Sequence, residues 1–142
     1  MIPGNVGPDG LVGVGLREAL GTEAALEVVF ILFMAVGAGA FLGGIARWAL
    51  SLVPGTHVGT WAANIVGSAV FGFSTLMPGM WPAFLGAGFG GALSTLSTLA
   101  KEGGTMIKNK EWGQLTSYVL ATAAGGIIAA WFGTLWASRA FM

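Results

Sequence analysis

The chain runs for long stretches without a charge, and that spacing restricts what it can fold into more than any motif does. After Glu27 the next charged side chain is Arg47, after Arg47 the next is Lys101, and a third uncharged run extends from Trp112 to Ser138. A fold that faces water needs charge on the outer side of every element. At 55% hydrophobic and 8% charged residues this chain has too little to supply it; an ordinary globular domain carries roughly 25%. The hydrocarbon core of a bilayer is about 30 Å thick and takes about 20 apolar residues in a helix. The runs therefore read as membrane spans.

Turn signals divide the apolar sequence into four spans in an all-α membrane protein. The first extends from about Glu27 to Leu52 and stops at Pro54-Gly55. The second covers about Val58 to Met77 and stops at Pro78-Gly79. The third starts near Trp81-Pro82, where proline suits a first helical turn, and reaches about Lys101 or slightly beyond. Lys108 to Gly113 separate it from the fourth, about Leu115 to Ala137. Trp81, Trp112 and Trp136 fall near span ends, where indole rings prefer the interface. Residues 1–26 form a Gly-rich extension with no basic region ahead of the first apolar run, so it is expected to be flexible and the first span to be retained, not cleaved. Residues 27–142 form the four-helix transmembrane domain.

Four spans place both termini on one side. Arg17 and Arg139 flank that side, and Arg47, Lys101, Lys108 and Lys110 flank the other. This is a mild bias toward cytoplasmic middle loops, weak enough to leave room for both orientations. Gly39 and Gly43, and Gly86 and Gly90, have the GxxxG spacing that lets helices approach closely in lipid.

Polar groups inside a span must find a partner, water or an ion, because lipid offers no hydrogen bonds. Arg47, at the end of span one, can snorkel to the interface or attract an anion. Asn64, about two turns into span two, can join helices or donate two N–H groups to an anion, and spacing does not separate these roles. The segment Gly88-Phe89-Gly90-Gly91-Ala92-Leu93-Ser94-Thr95-Leu96-Ser97-Thr98-Leu99 makes a poor uninterrupted helix, and a break is expected at Gly90-Gly91. Broken backbone at this depth offers carbonyls to a cation and N–H groups to an anion; the hydroxyls could equally bond back to their own helix. Span four carries Thr116, Ser117, Tyr118 and Thr122, and Glu102 closes span three as a solvated or paired charge.

Enzyme chemistry finds little support. No paired carboxylates or HxxE pattern occur, no base accompanies the hydroxyls, and the one histidine, His57, sits in a turn with no partner in sequence. There is no cysteine and no P-loop spacing, and the net charge of +0 with no basic block argues against nucleic acid. A proton-coupled multidrug carrier of four-helix subunits needs a membrane-embedded carboxylate; Glu27 and Glu102 both lie at span ends.

At these positions the sequence resembles the Fluc (CrcB) family of fluoride channels, over about residues 36 to 135. Gly43-Gly44-Ile45-Ala46-Arg47-Trp48 is similar to the family's glycine, small residue, arginine and aromatic pattern. Gly59-Thr60-Trp61-Ala62-Ala63-Asn64-Ile65-Val66-Gly67-Ser68 resembles its G-T-x-x-x-N-x-x-G-S signature. Span three resembles G-F-x-G-G-x-T-T-F-S-T-F-x-x-E and closes with Glu102, and Tyr118 stands where the family has a conducting tyrosine.

The resemblance implies an antiparallel, dual-topology dimer in the cell inner membrane, passing fluoride out passively. It implies a broken third helix, with Gly91 and Ser94 lending backbone carbonyls to a structural Na+ at the dimer centre. It makes Asn64 a pore donor, Ser97, Thr98 and Tyr118 parts of a polar track, and Arg47 and Glu102 structural or anion-attracting residues. Leu96 and Leu99 occupy the places of two pore phenylalanines, and Ser94 that of a threonine. A phenyl edge is electropositive and leucine offers only an apolar wall. The chain is thus expected to be either a channel subunit that works without the rings or a partner subunit paired with a paralogue that has them.

Overall fold

The computed structural model describes residues 21–55 and 57–141, and all of its regular elements are helical. They are α1 (Thr22–Ser51), α2 (Val58–Ser74), a wide π-helical stretch (Pro82–Gly90) that runs into α3 (Gly91–Leu93), α4 (Leu96–Lys108) and α5 (Trp112–Phe141). The expected flexible extension lies outside the described residues up to position 20; residues 22–26, assigned to it from sequence, belong to α1. Thr22–Ser51, Pro82–Lys108 and Trp112–Phe141 are each long and apolar enough to cross a membrane. The expected second span is helical only over Val58–Ser74, 17 residues, or about 26 Å at 1.5 Å per residue.

By its internal contacts the chain divides after Met34. The first unit is, in its described part, the amino-terminal half of α1, uncharged after Glu27. Packing within residues 35–141 is as follows. α2 lies along α5 more extensively than along any other element, and the π-helical stretch packs on its other side. The contact between α2 and α5 is a backbone contact. A β-carbon at Gly72 would run into the backbone of Ala130, and one at Gly133 into the backbone of Ala69. Gly39 and Gly43 of α1 meet the backbones of Phe84 and Phe89 in the same way. Small residues are needed there because association in lipid rests on close van der Waals contact, with no hydrophobic gain to drive it. The GxxxG spacing of Gly39 and Gly43 thus serves packing.

The core is correspondingly made of small side chains. Ala63, Ala137, Leu93, Met106, Ser74, Thr95 and Thr122 are buried, while Leu120, Ile127, Trp131 and Trp136 of α5 are exposed. An inverted arrangement of this kind suits a helix bundle whose solvent is hydrocarbon.

The third span is broken, but not at the expected place. Gly90 and Gly91 are both in right-handed helical conformation, and the Gly91 N–H still reaches back to the carbonyl of Gly86. The helix stops at Ser94 (φ −69°, ψ 149°) and Thr95 (φ −150°, ψ 110°), both extended. The glycines serve close approach instead: Gly86 lies against Ser74, and Gly90 against the carbonyl of Gly67. Replacing Gly72 with valine should therefore part α2 from α5, at a cost of about 1–3 kcal/mol for overpacking. Gly104→Ala, where nothing lies within 4 Å of the new β-carbon, should be neutral or slightly stabilising. Thermal unfolding of the two variants in detergent measures the difference.

Candidate functional site

The break is organised by Thr95, a 6% exposed threonine that caps α4. Its hydroxyl accepts the N–H of Thr98 at 3.2 Å, which is what an N-cap side chain does for the first turn of a helix. Its own backbone N–H is donated to Asn64 Oδ1 on α2, at 2.7 Å. In an unbroken helix these two N–H groups would close turns on the carbonyls of Gly91 and Ser94. Both are directed to side chains, so the carbonyls of Gly91 and Ser94 lose their helical donors; among the described residues only the Ser94 hydroxyl approaches the Gly91 carbonyl, at 3.5 Å.

The bond to Thr95 also fixes how the Asn64 amide is turned. With Oδ1 accepting from an N–H, Nδ2 must point the other way, and it is buried without a hydrogen-bond partner among the described residues. A buried donor without an acceptor costs roughly 1–3 kcal/mol, so it marks a place where an acceptor is expected to arrive. Asn64, Ser94, Thr95, Leu96, Leu99 and Thr122 line one cavity of about 440 Å3. Arg47, Trp48, Thr60, Ala92, Thr95 and Thr98 line another of about 600 Å3. Thr95 belongs to both walls.

Hydroxyls continue from this point. Thr95 Oγ1 lies 3.1 Å from Ser97 Oγ and donates to Thr98 Oγ1 at 3.2 Å; Thr98 Oγ1 also accepts from the Arg47 guanidinium at 2.9 Å. Arg47 is thus half-buried on the cavity wall and donates to a hydroxyl, with no carboxylate partner among the described residues. A second cluster surrounds Glu102, which accepts from Thr60 Oγ1 at 2.7 Å and from the Tyr118 hydroxyl at 2.5 Å. Glu102 is thus held by two hydroxyl donors.

His57 was expected to have no partner. Instead, its Nδ1 lies 3.4 Å from Glu102 Oε2, without the alignment of a hydrogen bond, and its ring is 5.2 Å from that of Tyr118. Sequence spacing hid this because the chain reverses at Pro54-Gly55 and then turns through a left-handed residue, His57 itself (φ 69°).

Of the residues singled out in the sequence, Asn64, Ser94, Leu96 and Leu99 meet at one cavity, Arg47 and Thr98 at the other, and Tyr118 with Glu102 beside Thr60. Ser97 is exposed and touches the network through Thr95. Leu96 is 78% exposed. Thr95 and Thr60 are the residues that sequence reasoning undervalued. The signal for Thr95 was its position, a threonine three residues ahead of Thr98 at the start of a polar helix.

Three helices long and apolar enough to cross a membrane, one of them broken beside the buried amide of Asn64, define a multi-pass membrane protein. The family model described as CrcB-like protein, Camphor Resistance (CrcB), matches residues 34–134, and the chain belongs to that family. Relatives include fluoride-specific ion channel FluC 2 of Corynebacterium diphtheriae, 45% identical over 94 residues, covering 66% of this chain and 89% of the relative. Fluoride-specific ion channel FluC of Aromatoleum aromaticum is 39% identical over 113 residues, covering 71% and 86% respectively. Fluoride-specific ion channel FluC 2 of Moorella thermoacetica is 38% identical over 117 residues, covering 75% and 96%.

Truncating Asn64 to alanine removes the acceptor of the Thr95 N–H. The expected loss is about 1–3 kcal/mol of stability, together with faster amide exchange at Thr95. Hydrogen exchange in detergent or nanodiscs checks both.

Proposed function

We propose that this chain is a subunit of a fluoride-specific ion channel that lets fluoride leave the cell passively and so lowers its cytoplasmic concentration. The observation that carries this reading is the buried, unpaired Nδ2 of Asn64 beside a run of hydroxyls. Fluoride is small and strongly hydrated, so it enters a narrow passage only where fixed donors replace its water. An amide N–H and alcohol O–H groups are such donors, and they do not carry a full charge that would hold the ion too tightly to leave. Arg47 on the larger cavity draws the anion in without binding it as one half of an ion pair. Thr98, Ser97 and Tyr118 continue the polar track, and Glu102 fixes the Tyr118 and Thr60 hydroxyls.

In this reading α2 is a fourth, short crossing, and two subunits pair antiparallel in the cell inner membrane. The mild positive-charge bias of the loops is compatible with insertion in both orientations. The carbonyls of Gly91 and Ser94 fit a hard cation: they are oxygen acceptors released from their helical donors, on a half-buried to exposed edge where a second subunit can approach. Na+ held there would supply a fixed positive charge that offsets the cost of bringing fluoride into a low-dielectric interior.

Leu96 and Leu99 favour a second reading, in which the chain is the partner subunit of a heteromeric channel. Leu96 is largely exposed and Leu99 forms part of the cavity wall, so each faces space where a ring from the same or another subunit would meet the ion. Liposomes carrying the purified chain separate the two. A self-sufficient channel releases fluoride and retains chloride. Release only after addition of a phenylalanine-bearing paralogue supports the partner reading, and no release in either case refutes both. In the self-sufficient case Leu96→Phe and Leu99→Phe should raise the fluoride rate severalfold, because an electropositive ring edge replaces an inert wall. An unchanged rate would show that these side chains do not touch the ion.

A further inference from the structure

We propose that the apolar groove formed by α2, the π-helical stretch and α5 is a binding site for a membrane phospholipid with an anionic headgroup, whose acyl chain fills the groove while its phosphate meets Arg139. The groove holds about 610 Å3, and Trp136 is its one lining residue with a polar side-chain atom. Its walls are aromatic: Phe73 from α2, Phe84 and Phe89 from the π-helical stretch, and Phe132 and Trp136 from α5. Such a wall at membrane depth is filled by hydrocarbon or by protein, because water finds no hydrogen-bond partner on it. The groove shares no lining residue with either cavity at the break of the third span. Gly91 and Ser94, whose edge was assigned to a second subunit, do not line it either.

The occupant needs a polar end as well as an apolar one. Along α5 the wall residues Ala129, Phe132, Gly133 and Trp136 recur at helical spacing on one face, and the next turn of that face carries Arg139, exposed in the last turn of the helix. Arg139 stands ten residues beyond Ala129, about 15 Å along the axis at 1.5 Å per residue. That is half of the roughly 30 Å hydrocarbon core, the depth of one leaflet. A lipid with its phosphate at Arg139 therefore reaches the inner end of the groove with its chain. Aromatic rings gather beside the same wall: Trp81 stands edge-on to Phe84 with centroids 6.0 Å apart, and the Phe141 ring is 5.8 Å from that of Phe73. Indole rings beside a basic residue at a span end are what a headgroup region favours.

Charge selects the headgroup. Among residues 35–141 the other charged side chains are Arg47, bonded to Thr98 near the break, and those between Lys101 and Glu111, on α4 and the turn before α5. Glu102 meets α5 at Tyr118, and Glu111 precedes the first residue of that helix. Both points are about 30 Å or more from Arg139 along α5. No acidic side chain of residues 35–141 thus competes with a phosphate for Arg139. A guanidinium takes phosphate oxygens through paired N–H donors, and a headgroup without a cation of its own keeps the full attraction. The chain would lie along Gly133 and Ala69, where α2 and α5 meet backbone to backbone, and so support that contact.

The test is native mass spectrometry of the full chain in detergent, titrated with phosphatidylglycerol or with phosphatidylcholine of the same acyl chains. The wild type should hold phosphatidylglycerol about fivefold more tightly than phosphatidylcholine, the effect of one basic residue at an anionic headgroup. Arg139→Gln should bring phosphatidylglycerol down to the phosphatidylcholine level. Ala129→Phe, which puts a ring into the groove, should weaken both. Melting in the same detergent should follow occupancy: phosphatidylglycerol raises the wild-type midpoint more than phosphatidylcholine does, and the two act alike on Arg139→Gln.

Equal retention of the two lipids by the wild type overturns the proposal, and so does a preference that survives Arg139→Gln. If Ala129→Phe dissociates an oligomer and leaves lipid retention unchanged, a second copy fills the groove and the lipid assignment is wrong. Fluoride enters none of these measurements, so their failure would leave the channel reading standing, and loss of that reading would leave the lipid site standing.

Discussion

The hydrogen bond from the Thr95 N–H to Asn64 Oδ1 is the constraint on which the rest of the site depends. In hydrocarbon, an unpaired backbone group costs several kcal/mol, so a helix can break only where something else takes its donors. Asn64 takes one and the Thr95 hydroxyl takes the next, from Thr98. Three consequences come from that exchange. The carbonyls of Gly91 and Ser94 become available, the Asn64 amide is held with its NH2 end pointing away from Thr95, and α4 restarts with Ser97 and Thr98 in its first turn. The break is thus a place where helical hydrogen bonding has been handed to side chains.

The packing makes this possible at little expense in side-chain volume. Gly72 and Gly133 let α2 and α5 meet backbone to backbone, and Gly67 lies against both the Gly90 carbonyl and Ser94. With α2 that close to the broken segment, a side chain as short as asparagine spans the gap. A larger residue at Gly67 would push α2 away and break the bond that holds the break open. Packing glycines and the polar site are therefore coupled, although they carry different chemistry.

Much of this was legible in the sequence, for reasons that can be named. Uncharged runs gave three of the expected spans, because a bilayer penalises charge; the expected second span is helical over only 17 residues. The concentration of glycines and hydroxyls in residues 88–99 gave the place of the polar site, because few sequences are so poor at continuing a helix. The break itself was misplaced, from Ser94–Thr95 to Gly90-Gly91. Glycine weakens a helix in water, but here its lack of a side chain serves close packing and it remains helical. What ends the helix is a tertiary bond from a residue on α2, which no local pattern records. The His57–Glu102 approach was hidden for a similar reason: it depends on a reversal of the chain and on the left-handed turn at His57 itself.

Fluoride recognition through Asn64 is the central claim, and nuclear magnetic resonance of the amide-labelled protein in nanodiscs tests it most directly. Added fluoride should move the side-chain amide signal of Asn64, while chloride at the same concentration should leave it in place. A signal that responds to neither ion, or to both alike, would contradict a fluoride-donating role for that amide.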